Sequence, residues 1–290
     1  MDISIINQNH REFSSLSADL FKGKGFILKG LKSVPVFVNK IWEIMNSTFL
    51  DLDPSIAQFH LSNEELIGKF QTIRANIKSD RNAIRLLMNI FLECGLEDLY
   101  FDYPRFRGIT NDGHQNPLAA NAYTLHRDQW FANPRAQWNW WIPLIDIVKE
   151  NSFGIYPNYF FTPVQNNSNL FEYSDWQEKG GFQSYGPRDH EKVFPTTINT
   201  PDLSNEYRVT LKTGEIFIFS AHHLHRTLPN TTEGTRFSID VRTILLDDLL
   251  NGSKAPNVDN QSKGTTLIDF FHCPSMKKLA PSWIESLKDP

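Results

Sequence analysis

His126 and Asp128 stand two residues apart in Tyr123-Thr124-Leu125-His126-Arg127-Asp128-Gln129-Trp130. On an extended backbone side chains two apart share a face, so this imidazole and carboxylate can hold one cation between them. A third ligand would come from the later cluster His222, His223 and His225. Two imidazoles and one carboxylate on one face of an ion form the set that binds Fe(II) and leaves three coordination positions open. His-x-Asp alone is a weak signal. Joined to a distant histidine it becomes a specific one.

The cluster lies in GEIFIFSAHHLHRTLPNTTEGTRFSIDVR, from Gly214 to Arg242. The apolar run Ile216-Phe217-Ile218-Phe219 predicts a buried strand. Turns at Pro229-Asn230 and Glu233-Gly234 precede a second strand starting near Thr235. In it Arg236, Ser238, Asp240 and Arg242 alternate with Phe237, Ile239 and Val241, so one face is wholly polar and the other wholly apolar. Such a strand either edges a sheet with its polar face in water, or packs its apolar face on helices and lines a pocket with the other. If 222–228 is a strand, His223 and His225 share a face and His222 lies on the other.

The elements that must position these residues fall into two halves. Before residue 95 the texture is helical, with a short helix over 11–22, an amphipathic helix over 37–49, a capping box at Ser62-Asn63-Glu64-Glu65 and a cap at Asp80. The stripe Ile84, Leu87, Met88 and Phe91 reads as core, and Gly95 ends its helix. Gly25 to Leu28 reads as a strand. From Leu99 onward short β-runs are expected at 99–103, 119–127, 137–146, 153–157, 206–212, 215–220, 222–228 and 235–245. About eight short strands indicate a sandwich or jelly roll. The span 158–205 interrupts them and is expected to be a lid or insertion. The polar stretch 250–265 is expected to be a surface loop, and 266–290, with Trp283, to pack back on the body.

A chain of 290 residues with net charge −4 and 40% hydrophobic residues can bury a full core and lacks the basic excess of nucleic-acid binders. Cys94 and Cys273 form no zinc or redox spacing. MDISIINQNH has neither a basic nor an apolar leader segment, and no apolar run reaches membrane-spanning length. The expectation is a cytoplasmic protein, monomer or homodimer, acting on a small molecule, with neither nucleic acid nor membrane as partner.

His126-x-Asp128, Trp141, Asn151, His225-Arg-Thr-Leu-Pro-Asn230 and Arg236, eleven residues after His225, together resemble the phytanoyl-CoA dioxygenase branch of the Fe(II)/2-oxoglutarate-dependent oxygenases. The resemblance spans about residues 120–245. Ser152 stands where that branch usually has Gly, and Pro157-Asn158-Tyr159 replaces its Pro-Gly-Ser-His. It implies an α+β fold: a double-stranded β-helix (jelly-roll, cupin-like) core with N-terminal helices on its outer face. On that plan 1–290 is one domain, with a helical layer at 1–98, the core at 99–248 and a C-terminal extension at 249–290. It also implies His126, Asp128 and His225 as ligands of Fe(II), with 2-oxoglutarate and O2 in the open positions. Arg236 would grip the far carboxylate of 2-oxoglutarate, because arginine's planar fork suits it, with Ser238 adding a hydrogen bond and Trp141 walling the cosubstrate. The implied reaction releases succinate and CO2 and oxidises, by default hydroxylates, an unactivated C–H bond. Asp128 argues against a halogenase, since related halogenases replace that carboxylate.

Gln137, Asn139 and Arg242 are candidate substrate contacts, which points to a polar, amino-acid-derived or specialised metabolite. Arg242 reads equally as an ion-pair partner of Asp240 or another acid, and Arg105 and Arg107 read as a solvated strand end or, alternatively, as groups that approach an acidic substrate. His10, His60, His114, His190 and His272 read as surface or loop residues, and Trp130, Trp138 and Trp140 by default as packing, though a pocket edge near the iron would also use them. Two other functions compete. His126-Arg127-Asp128 with Asn133 fits the kinase form H-R-D-x-x-x-x-N, yet Ser152-Phe153-Gly154 stands where Asp-Phe-Gly is needed to bind magnesium. A non-catalytic jelly-roll binding module would keep the fold without the chemistry.

Overall fold

The computed structural model describes residues 1–7, 13–181, 193–281 and 284. His10, His190 and Trp283 lie outside them. The strands are β1 (Ile3–Asn7), β2 (Gly25–Lys29), β3 (Leu99–Phe101), β4 (Arg105–Ile109), β5 (Trp138–Pro143), β6 (Phe153–Ile155), β7 (Tyr207–Arg208), β8 (Ile216–Ser220), β9 (His225–Thr227), β10 (Arg236–Leu245) and β11 (Phe271–Cys273). The α-helices are α1 (Ser17–Leu20), α2 (Ser33–Phe49), α3 (Asn63–Ser79), α4 (Arg81–Glu93), α5 (Tyr173–Glu178) and α6 (Leu246–Asn251).

The strands form two sheets. The larger runs β1-β2-β8-β5-β10-β3-β11, with β4 also paired to β10, and the smaller runs β7-β6-β9. Trp141 on β5 meets Phe153 on β6 edge to face at 4.5 Å, and Phe153 lies 5.5 Å from Phe219 on β8. The sheets therefore face each other across an aromatic layer, which is the α+β jelly roll expected.

β10 explains the arrangement. Its apolar side, Phe237, Ile239 and Val241, is buried in the main core with residues of α2, α3 and α4. Trp42, Phe70 and Phe106 surround Phe237 at 6.0, 6.2 and 5.6 Å. Its polar side, Arg236, Asp240 and Arg242, lines the cavity between the sheets. The helices that hold β10 from outside are set by local signals. Ser62 and Glu65 close the capping box of α3, and Asp80 accepts from the amides of Asn82 and Ala83 at the start of α4.

Three expectations are corrected. Residues 119–127 are not a strand: Pro117–Tyr123 is a 3-10 helix, and only His126 pairs, as an isolated bridge to His225. Proline fixes φ near the helical value and favours the first turn, which overrides the β-like composition behind it. The span 222–228 shrinks to β9, because His222 and His223 occupy a turn after β8, so face-sharing between His223 and His225 does not apply. The stretch 250–265 is more than a surface loop, since the Asp259 carboxylate is buried against Arg127. β1, β4 and β11, and the helix α5 inside 158–205, went unforeseen.

Candidate metal centre

His126 and His225 are locked to each other through the backbone. Each amide donates to the other's carbonyl, at 3.0 and 2.9 Å, and the two rings lie 4.4 Å apart. Each ring is turned by a carbonyl two residues earlier: Nδ1 of His126 meets the Thr124 carbonyl and Nδ1 of His225 the His223 carbonyl, both at 2.9 Å. A carbonyl only accepts, so both Nδ1 atoms carry the proton and both Nε2 atoms are left as lone-pair donors. Asp128 opens a 3-10 helix (Asp128–Phe131), and its Oδ1 lies 3.5 Å from Nε2 of His126. One ligand atom from each of the three residues lies within 4.8 Å of the others, close enough to meet on one ion.

The protonation states suit a metal. Burial pulls His225 down to about 3, so its imidazole is neutral near pH 7. Burial opposes the charge of Asp128, but the Arg242 guanidinium at 3.7 Å and His126 hold its carboxyl well below the usual range. Its other oxygen accepts from the Asn139 amide at 2.7 Å and from Gln137 at 3.4 Å. Gln137 also donates to Asn139 at 2.7 Å. Both amides, expected at the substrate, brace the Asp128 carboxylate; Asn139 also lines the cavity, and Gln137 is not among the residues lining it.

Arg236 is buried with few partners. Nη1 reaches the Asn151 carbonyl only at 3.4 Å, Nε has no hydrogen-bond partner, and no carboxylate lies within 4.0 Å among the described residues. The guanidinium sits 5.5 Å from the Trp141 ring, and the buried Ser238 hydroxyl two residues on also has no hydrogen-bond partner among the described residues. Burial lowers the Arg236 pKa to about 10, which leaves it cationic near pH 7. A buried cation beside an orphaned hydroxyl is arranged for an anion with several oxygens.

The cavity, of about 190 Å³, is lined by His126, Asp128 and His225 and by Arg236, while Ser238 is not among its lining residues. Arg107, expected at a solvated strand end, lines it and donates to Asp240 at 2.8 Å. Arg242 pairs with Asp128 and, at 4.0 Å, with Asp102, and Arg105 pairs with Asp102. Phe131, Trp176 and Phe194 supply an aromatic wall beside His126. That wall escaped the sequence reading because its members come from a 3-10 helix, the six-residue helix α5 and an irregular segment, all too short for a period to mark which way a side chain faces.

His222 and His223 are buried and lie off the cavity lining. His222 sits between Gln129 and the Phe160 carbonyl, and His223 between the carbonyls of Ser220 and Gly23. Burial lowers them to about 3 and about 4. Their folded values lie below the unfolded value of 6.5, so their contribution is complete above pH 6.5 and is lost as pH falls toward 4. Urea unfolding from pH 7 to 5 should lose about 1.4 kcal/mol per pH unit for each histidine at the steepest point. A flat profile would show that these rings protonate in the folded state.

No family model and no curated protein matches the chain. Among solved structures it is similar to the non-heme monooxygenase ThoJ, at 10% identity over 79% of this chain and 77% of that one, TM-score 0.43. It is also similar to EvdO2 from Micromonospora carbonacea var. aurantiaca, complexed with 2-oxoglutarate, at 14% identity over 79% and 89%, TM-score 0.44. A third is the epimerase SnoN in complex with Fe3+, alpha ketoglutarate and nogalamycin RO, at 12% identity over 80% and 84%, TM-score 0.43. Identities and scores this low assign no activity. The kinase alternative loses its geometry: Asp128 begins a 3-10 helix, and Asn133 donates to the Asp128 carbonyl rather than toward the cavity.

Proposed function

We propose that this protein is an Fe(II)- and 2-oxoglutarate-dependent oxygenase that hydroxylates a C–H bond of a small polar, amino-acid-derived or specialised metabolite. One observation carries the reading: a His-Asp-His set and a buried arginine without a carboxylate partner among the described residues line the same cavity. A binding module needs no such pair of sites. An enzyme that must hold a chelating dicarboxylate on a metal needs both.

His126, Asp128 and His225 would hold Fe(II), which when bound with 2-oxoglutarate supplies the activation of dioxygen. The Thr124 and His223 carbonyls fix the two imidazoles in the tautomer that can ligate. Asn139 and Gln137 hold Asp128 so that one oxygen faces the metal position. Arg236 and Ser238 take the distal carboxylate of 2-oxoglutarate, and Trp141 fixes the guanidinium plane from one side. The Arg107–Asp240 pair offers both charges to the cavity, which suits a substrate carrying both, while Phe131, Trp176 and Phe194 exclude water from the metal's surroundings.

The test is an anaerobic titration of the metal-free protein with Fe(II), then 2-oxoglutarate, watched by visible absorption. A weak charge-transfer band requiring both additions is expected. Absence of the band, with neither component bound, would leave the fold as a binding module.

A further inference from the structure

The residue between the two ligands of the His-x-Asp pair has a task of its own. Arg127 is extended (φ −107, ψ 143), so its side chain leaves the opposite face from His126 and Asp128. It is fully buried, and four acceptors surround its guanidinium. Nη1 donates to the His222 carbonyl at 2.5 Å, in the turn before His225. Nη2 donates to the carbonyls of Tyr159 and Thr162, at 2.6 and 3.0 Å, in the segment after β6. Nε donates to Asp259 at 3.1 Å.

Asp259 is bonded as fully as its partner. It accepts from the Trp130 indole at 2.8 Å and from the Val164 amide at 2.9 Å, and its own carbonyl accepts from Asn166 at 3.0 Å. One buried ion pair thus joins four stretches of chain: the 126–130 ligand segment, the turn carrying His225, the 159–166 segment and the loop at 259. A core lysine or leucine would fill the space, but neither could reach four acceptors in one plane, as the guanidinium fork does.

We propose that Arg127 and Asp259 are a positioning pair that sets the spacing of the metal ligands and couples it to the seating of the 159–166 segment. This rests on the metal reading above. Neither residue touches the cavity, so both act through His126, Asp128 and the His222 turn. Outer groups that orient metal ligands typically change metal affinity by about ten- to a hundredfold when removed. Coupling is also reciprocal: if the seated segment favours the metal, the metal must favour the seated segment.

The test uses Co(II) as a spectroscopic probe in the full chain. Asp259→Asn keeps the shape and removes the charge. Its Co(II) affinity should fall about tenfold or more, with a changed visible d–d spectrum. A pair that only stabilises the fold would lower the melting temperature and leave the affinity and spectrum of the folded protein as in wild type, which overturns the proposal. In wild type, Co(II) should slow hydrogen exchange at the Val164 amide roughly tenfold. If Asp259→Asn does not fold, that exchange measurement decides alone, and unchanged exchange at Val164 sinks the coupling. Wild-type protein that binds no Co(II) removes the metal reading itself, and this inference with it.

Discussion

Asp128→Ala is expected to abolish metal-dependent turnover, with succinate formation and Fe(II) affinity each falling by at least about a thousandfold, on the order of 4 kcal/mol. The effect exceeds the loss of one ligand. In the native site the carboxylate neutralises Arg242 at 3.7 Å and receives the Asn139 and Gln137 amides. Alanine leaves that guanidinium's charge less compensated beside the metal position and the buried Asn139 amide without its acceptor, so an arriving cation meets repulsion instead of a ligand. Asp128→Asn keeps the volume and isolates the charge; it should sit nearer to alanine than to wild type. Anaerobic Fe(II) titration of folded variant, with circular dichroism to verify the fold, is the measurement. Near-native affinity in either variant removes Asp128 from the metal.

Arg236→Met is expected to raise the apparent KM for 2-oxoglutarate about a hundredfold, about 2.7 kcal/mol, while raising the melting temperature of the metal-free protein. These opposite signs follow from one fact. Arg236 is a buried cation with one long hydrogen bond, no bonded partner at Nε and no carboxylate within 4.0 Å among the described residues. Burying an uncompensated charge costs several kcal/mol, part of which a methionine of similar length against Trp141 restores. When Co(II) and 2-oxoglutarate are present the order reverses: wild type gains about 2.7 kcal/mol at a hundred times its dissociation constant and the variant gains almost nothing. Thermal melts of both proteins in both states test this in one experiment. A variant less stable than wild type without ligand would mean that Arg236 is satisfied in the resting protein, and an unchanged KM would take it from the cosubstrate.

The sequence carried the pieces of this site unequally. His126, Asp128 and His225 were legible because their spacing mirrors the strand period and because His225 is joined to Arg236 by a short turn. That turn is braced by Asn230, whose amide donates to the carbonyls of Ile109 and Gly234. The polar face of β10 was legible for the same reason, since alternation in a strand survives in the structure. The contacts of Gln137 and Asn139 with Asp128 were not legible, because a strand face says which way an amide points and not what it meets first. Arg107 was read as solvated because nothing local shows that β4 pairs with β10 across more than a hundred residues. Asp259 was unreadable as a buried acid: it lies in a stretch as polar as any loop, and its burial depends on Arg127 and Trp130, far off in sequence.

The backbone ladder between His126 and His225 has a kinetic consequence. The two imidazoles do not have to find each other, since the conformational entropy of bringing them together was already lost when the smaller sheet formed. Capture of an ion is then closer to docking on a rigid seat than to the folding-coupled binding of small zinc domains. On the proposed reading, the protein is expected to be emptied by a chelator and refilled without melting, so that its working lifetime would be set by metal replacement and not by refolding of the chain.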